Sequence, residues 1–255
     1  MGPTVPRRRG RFWRNGHVLG VAHRGASRYA PENTLIAFRL ALEHGAPAVE
    51  CDIQRTRDGH LVVIHDQIVD RTTDGRGAVG DHDLEDLRRL DAGRWFSPEF
   101  AGERVPLLDE VLGLVRGHTL LALEIKNSPV FYEGIEQQVV NAVRSRGMEE
   151  DVLLISFDHK ILQNVRAVAP ELATGILYAA RLADAPGAAR AAHADALCVE
   201  WGFLTGDVMA QAREANLGVV VWTVDDERIL RRCEAMGVDG IISNDTRLLQ
   251  RLLGG

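Results

Sequence analysis

This 255-residue chain has only three cysteines, Cys51, Cys198 and Cys233, far apart and odd in number. That argues against a disulfide framework or a zinc knuckle and suits three small apolar fillers in a reducing compartment. No apolar run is long enough to span a bilayer, so no stable membrane insertion is expected. There is no excess of positive charge either. The formal net charge is −6, which supplies no overall field for nucleic acid. The local exception is a run of arginines at Arg7, Arg8, Arg9, Arg11 and Arg14. No apolar stretch and small-residue cleavage site follow it, so it does not read as a signal peptide. Residues 1–16 are assigned to a basic, solvated tail in preference to a lipid-binding one.

The composition is that of a soluble globular protein, 45% hydrophobic and 26% charged. Short apolar runs alternate with amphipathic stretches through most of the chain. Strands are expected over 18–22, 48–53, 120–125, 152–155, 174–177, 196–199, 219–222 and 240–242. Helices are expected over 35–44, 133–144, 159–168, 186–192, 207–215, 227–236 and 246–253. The punctuation agrees: Gly147, Gly218 and Gly237 follow helical stretches, Pro170 closes one, and Asp158, Asp207 and Asp225 sit near helix starts. Eight alternating units imply a parallel sheet closed as a (β/α)8 TIM barrel, an α/β fold in one catalytic domain over 17–255. An extra strand over 61–64 and a mixed stretch over about 66–118 break the rhythm and read as a small insertion after the second strand.

Active sites in such barrels sit at the C-terminal ends of the strands. The first strand ends in His23-Arg24-Gly25, the second carries Glu50 and Asp52, the third carries Glu124 and Lys126, and His65-Asp66 follows the extra strand. Glu50 and Asp52 are two residues apart, so they share one face of a strand. Two carboxylates inside a barrel need a counter-charge, and a hard divalent cation prefers oxygen ligands. Glu124 is the natural third ligand, and Lys126 offsets carboxylate charge or holds a phosphate oxygen. Alternation turns Cys51 the other way, into the core. A buried salt-bridge network is the alternative for one carboxylate pair. Three acids, two histidines and two cations at strand ends favour metal-assisted hydrolysis of a phosphate ester.

The segment from His23 through Pro31-Glu32-Asn33-Thr34 resembles the opening signature of the glycerophosphodiester phosphodiesterases. Further pieces follow in family order: Gly45-Ala46 with Glu50-Cys51-Asp52, Arg57-Asp58-Gly59, and Val62-Val63-Ile64-His65-Asp66. Next come Arg71-Thr72-Thr73, Asp91-Ala92-Gly93-Arg94-Trp95-Phe96, Pro106-Leu107-Leu108-Asp109-Glu110 and Glu124-Ile125-Lys126. Trp222-Thr223-Val224 and Gly237-Val238-Asp239-Gly240-Ile241-Ile242 complete the set. Each piece is weak alone, but the ordered set is specific. One departure stands out. The last strand leads into Ser243-Asn244-Asp245, where the family more often has Thr-Asp. Little consequence is expected, with Asn244 free to cap the final helix.

The resemblance implies a TIM barrel with a small insertion. It also implies a divalent ion, Mg2+ or Ca2+, on Glu50, Asp52 and Glu124. Arg24 and Lys126 would hold the phosphodiester. His23 and His65 would be the acid–base pair, His23 expected as base and His65 as acid. The substrate would be a small-molecule glycerophosphodiester, hydrolysed to glycerol 3-phosphate and an alcohol. Trp222 would wall the glycerol pocket, although an aromatic at a strand end is often packing alone; Glu200 also ends a strand and carries less weight. Trp95, Phe96 and Phe100 would either shape the leaving-group side or form the insertion's own core. Because signal cleavage near His23 would destroy the site, a cytoplasmic protein is expected. A lysophospholipase D acting on lysophospholipids is the first alternative. A catalytically dead phosphate-binding barrel and a metal-dependent sugar isomerase are the others.

Overall fold

The computed structural model describes residues 9–13 and 17–254. Nine strands are present among them: β1 Leu19–Ala22, β2 Ala48–Arg55, β3 Leu61–Val63, β4 Leu120–Ile125, β5 Val152–Ser156, β6 Ala173–Tyr178, β7 Ala196–Glu200, β8 Gly218–Trp222 and β9 Gly240–Ser243. All but β3 pair in parallel in the order β1-β9-β8-β7-β6-β5-β4-β2, and β1 pairs with β2 to close the ring. β3 runs antiparallel to β2 and lies outside the ring. The fold is therefore the expected TIM barrel. The helices are α1 Leu35–Glu43, α2 Leu84–Leu87, α3 Leu108–Val115, α4 Ile135–Ser145, α5 His159–Val168, α6 Ala185–Ala191, α7 Gly206–Glu214, α8 Glu227–Met236 and α9 Thr246–Leu253.

Strand alternation sorts the side chains into two cores. Val49, Cys51 and Ile53 of β2 and Leu121, Leu123 and Ile125 of β4 face the helices in the outer core. Ala48 and Ala122, on the opposite faces, belong to the interior cluster with Leu153, Leu177, Cys198 and Val220. The interior is tight. A methyl group on Gly175 would lie 2.7 Å from Cys198 Sγ, so only glycine fits there. The helices bury one stripe each: α5 buries Ile161, Leu162 and Val165, and Asp158 caps it by accepting from Lys160 N.

The structure moves several expected boundaries. α3 buries Leu108, Val111, Leu112 and Val115 in the outer core, so the barrel resumes at Leu108 rather than after His118. Thr205 and Asp226 cap α7 and α8, not Asp207 and Asp225, because their side-chain oxygens reach the free N–H groups. Gly218 opens β8 instead of ending a helix, and Asn216 takes the left-handed position at φ 55°. Asp245, not Asn244, caps α9 by accepting from Leu248 N.

Residues 9–13, assigned above to a solvated tail, are docked under the barrel. Phe12 is buried in the interior cluster. Trp13 lies so close to Gly218 that a Cβ there would sit 2.5 Å from its ring. Arg9 Nη1 pairs with Asp195 Oδ1 at 2.6 Å and Arg11 Nε with Asp151 Oδ1 at 3.1 Å. Two aromatic residues among the arginines decide this, since burying them outweighs solvating the charges beside them. The rest of the 1–16 tail lies outside the described residues.

Candidate active site

The first strand ends in a turn. Arg24 and Gly25 have φ 55° and 80°, and a Cβ on Gly25 would meet the Ala37 carbonyl carbon at 2.6 Å. Glycine is required there for both reasons. The turn brings the Arg24 backbone N–H to Glu50 Oε2 at 2.9 Å and sets His23 Nε2 3.9 Å from the same oxygen. Arg24 Nη1 reaches Glu32 Oε1 at 2.8 Å, and its Nε lies 3.3 Å from Asp52 Oδ2.

Asp52 and Glu124 are register partners on β2 and β4, and Glu50 stands two residues back on the same face. All three are buried, and they place carboxylate oxygens within 4.8 Å of one another. Lys126 Nζ lies 2.6 Å from Glu124 Oε1 and 3.0 Å from Asp52 Oδ1. Burial, and then Asp52, pushes Glu50 well above the usual carboxylate range. Burial raises Glu124 to about 7 against the pull of Lys126. Burial works against Asp52 as well, but Lys126 and Arg24 outweigh it and hold that carboxyl below its ordinary value. The centre thus crowds more carboxylates than its cations neutralise. Its donors are all oxygen and three buried carboxylates converge within 4.8 Å, a set that fits a hard divalent ion.

His65 is aimed by a residue that the sequence pattern did not single out. Gln54 is fully buried on β2, and its Nε2 donates to the carbonyls of Ile64, His65 and Asp66 at 3.1, 3.0 and 2.6 Å. Tyr132 Oη pins the Gln54 oxygen at 3.2 Å. His65 Nδ1 meets Asp66 Oδ1 at 2.6 Å. Arg71, from the insertion, grips Asp66 Oδ2 with Nε at 2.6 Å and both oxygens of Glu32 at 2.8 Å. Arg71 therefore ties the support of His65 to the support of Arg24. Asn33, at φ 58°, donates to Asp52 Oδ2 at 2.7 Å. Burial lowers the pKa of His23 to about 4, helped by Arg24, and burial also lowers that of His65.

The remaining expected residues divide. Trp222 ends β8 on the inner face, donates Nε1 to the Cys198 carbonyl at 2.9 Å and meets Phe157 edge-on at 5.5 Å. Glu200 turns away to accept from Gly202 N at 2.9 Å in its own local turn. Trp95, Phe96 and Phe100 pack edge-on against one another at 5.7 and 5.6 Å, apart from the insertion's aliphatic core of Val62, Ile64, Val69, Val79, Leu87, Ala92 and Val105. Cys51 is fully buried in the outer core, as alternation requires. Cavity size does not mark the site: spaces of about 430 Å³, lined by Arg11, Pro47, His118 and Asp151, and about 370 Å³, lined by His17, Leu19, Pro47 and Leu249, lie where the strands start, away from these groups.

Glu32, Asn33, Gln54, Asp66, Arg71 and Asn244 were not expected to act at the site. The signal available for Glu32, Asn33, Asp66 and Arg71 was their place in the motifs of the resemblance.

The fold and these groups define a barrel enzyme whose strand ends converge on an acidic, histidine-flanked centre. The sequence pattern of the Glycerophosphoryl diester phosphodiesterase family matches residues 23–248. The chain is 41% identical over 237 residues to a glycerophosphodiester phosphodiesterase from Caldanaerobacter subterraneus subsp. tengcongensis, covering 92% of this chain and 98% of that one. A crystal structure of a glycerophosphodiester phosphodiesterase from Agrobacterium tumefaciens superposes with a TM-score of 0.81 at 34% identity, covering 92% of this chain and all of that one (100%). A phosphodiesterase from Oleispira antarctica, solved in complex with the product sn-glycerol-3-phosphate, superposes at 0.84 with 28% identity, covering 94% and 98%. The chain belongs to the glycerophosphoryl diester phosphodiesterase family and is a phosphoric diester hydrolase.

Proposed function

We propose that the protein hydrolyses glycerophosphodiesters to glycerol 3-phosphate and an alcohol, with a divalent cation, Mg2+ or Ca2+, held by Glu50, Asp52 and Glu124. The buried cluster of three carboxylates between two histidines carries this reading. Fully ionised, the three carboxylates would outnumber Arg24 and Lys126 and repel a phosphodiester; burial alone answers this by pushing Glu50 and Glu124 toward protonation, whereas a divalent cation would let all three ionise and still favour the anion. When bound, such an ion withdraws charge from phosphate oxygens. Arg24 and Lys126 bind the phosphodiester anion, and Trp222 walls the glycerol.

In this reading an oxygen nucleophile, water or the substrate's own glycerol hydroxyl, gives its proton to Nε2 of His23 as its oxygen bonds to phosphorus. The bond from phosphorus to the leaving alcohol breaks, and that oxygen takes a proton from His65. Attack by the glycerol hydroxyl gives a cyclic phosphate, which water then opens. The partners of the two rings support this division. His65 leans on the Asp66 carboxylate, which stabilises an imidazolium, whereas His23 leans on the neutral amide of Asn244.

A second reading, lysophospholipase D, is favoured by exposed Phe157 against Trp222 and exposed Phe131 in the loop after β4, which offer apolar surface to an acyl chain. No helix among the described residues is long and apolar enough to cross a membrane. We place the protein in the cytoplasm.

The test is release of glycerol 3-phosphate from glycerophosphocholine by metal-stripped protein, with and without Mg2+ or Ca2+, beside His65→Ala. Activity restored by metal and lost in the variant is expected. Absence of activity with either ion would overturn the assignment, and turnover of lysophosphatidylcholine alone would move it to the second reading.

A further inference from the structure

The geometry points to Asn244 as a positioning residue that, together with Asp225, fixes which nitrogen of His23 carries the proton. The inference rests on the phosphodiesterase reading above.

His23 Nδ1 lies 2.7 Å from Asn244 Oδ1. An amide side chain can present either its oxygen or its nitrogen, so this contact alone leaves the ring's tautomer open. Asp225 closes the choice. Its Oδ2 lies 2.6 Å from Asn244 Nδ2, and a carboxylate only accepts, so the amide nitrogen must point at Asp225 and the amide oxygen at His23. Asp225 is itself fixed, because its Oδ1 accepts from Asn244 N at 2.8 Å and from Ser243 Oγ at 2.9 Å. Ser27 Oγ, 2.9 Å from the same Asn244 Oδ1, donates to it in the orientation Asp225 fixes.

An amide oxygen has no proton to give, so His23 Nδ1 carries the hydrogen. The neutral ring then keeps its lone pair on Nε2, the nitrogen turned toward Glu50. A ring in the other tautomer would present a proton where the nucleophile's proton must go. Asn244 thus acts through His23, as the outer partner of an active-site histidine sets its tautomer and orientation. α9 does not need Asn244 as a cap, because Asp245 serves.

The experiment combines kinetics with ¹⁵N NMR of the imidazole nitrogens in the Mg2+-loaded enzyme. In the wild type, His23 is expected to show a protonated Nδ1 and an unprotonated Nε2. Asn244→Ala should lower kcat roughly 100-fold with KM within about twofold, the scale of a misaimed catalytic group, and should mix the two tautomers. The exchange Asp225→Asn with Asn244→Asp keeps an acceptor for His23 and a donor–acceptor pair behind it. It should restore the tautomer and bring kcat back to within about tenfold of wild type. A wild-type ring protonated on Nε2 would overturn the inference whatever the variants do, and so would an Asn244→Ala enzyme with unchanged kcat and tautomer. Wild-type protein without phosphodiesterase activity would instead strike the functional reading, and the NMR result separates the two.

Discussion

At the scale of single residues, the centre is held by groups that contradict one another unless a cation joins them. Glu50 and Glu124 are pushed toward neutrality by burial, while Asp52 stays ionised against Lys126 and Arg24. Mg2+ or Ca2+ at roughly 100 times its Kd should therefore raise stability by about 2.7 kcal/mol, read as a rise in Tm. Glu124→Gln should lose most of that rise along with activity; an equal rise in the variant would remove Glu124 from the ligand set. Cys51 gives the opposite prediction. Its thiol is buried among helix-facing residues and raised well above its ordinary pKa, by burial first and then by Glu50. Cys51→Ala should leave kcat unchanged and cost about 1 kcal/mol in denaturant unfolding, from one small cavity. The two carboxylates were legible in the sequence because period-two alternation fixes which neighbours share a face. Gln54 was not, because its role depends on three carbonyls brought to it by a different strand and loop.

At the scale of elements, the insertion is fastened to the barrel mouth by Arg71. Hydrogen bonds from Arg71 hold the Asp66 carboxyl down at about 2, below its ordinary value, against a smaller opposing effect of burial. A depressed carboxyl contributes stability that is present above its unfolded pKa, near 3.8, and is lost as pH falls toward about 2. Arg71 is partly exposed, so solvent screening limits the contribution to about 1 kcal/mol. Arg71→Ala should thus unfold at lower temperature than wild type at pH 7, with the gap narrowing below pH 4. Its kcat should also fall, since His65 and Arg24 both lose a support. A temperature gap that stayed constant down to pH 2 would sink the ion-pair explanation. The helix caps misplaced by sequence reasoning share one cause. Asp207, Asp225 and Gly218 each lie within two residues of the group that does the capping, and only the backbone path decides between neighbours.

At the scale of the whole molecule, the two mouths of the barrel have separate duties. Phe12 and Trp13 close the end from which the strands start, and the buried carboxylate cluster gathers where the strands finish. Phe12→Ala with Trp13→Ala should destabilise the fold by about 3 kcal/mol while leaving kcat of the folded enzyme unchanged. A drop in kcat at full folding, measured by activity beside circular dichroism, would show that the mouths are coupled. The barrel itself was readable from the chain, since eight apolar runs separated by amphipathic stretches have few other ways to bury both faces of a sheet. So was the convergence of Glu50, Asp52 and Glu124, which sit at strand ends beside ordered motifs. The folded chain alone decided what aims them. Asn244 reaches His23 across 221 residues, Arg71 reaches Glu32 across 39, and Phe12 enters an interior lined by strands far along the chain. A local pattern can specify which face a residue occupies, but a hydrogen bond between distant segments exists only once the ring of strands has closed.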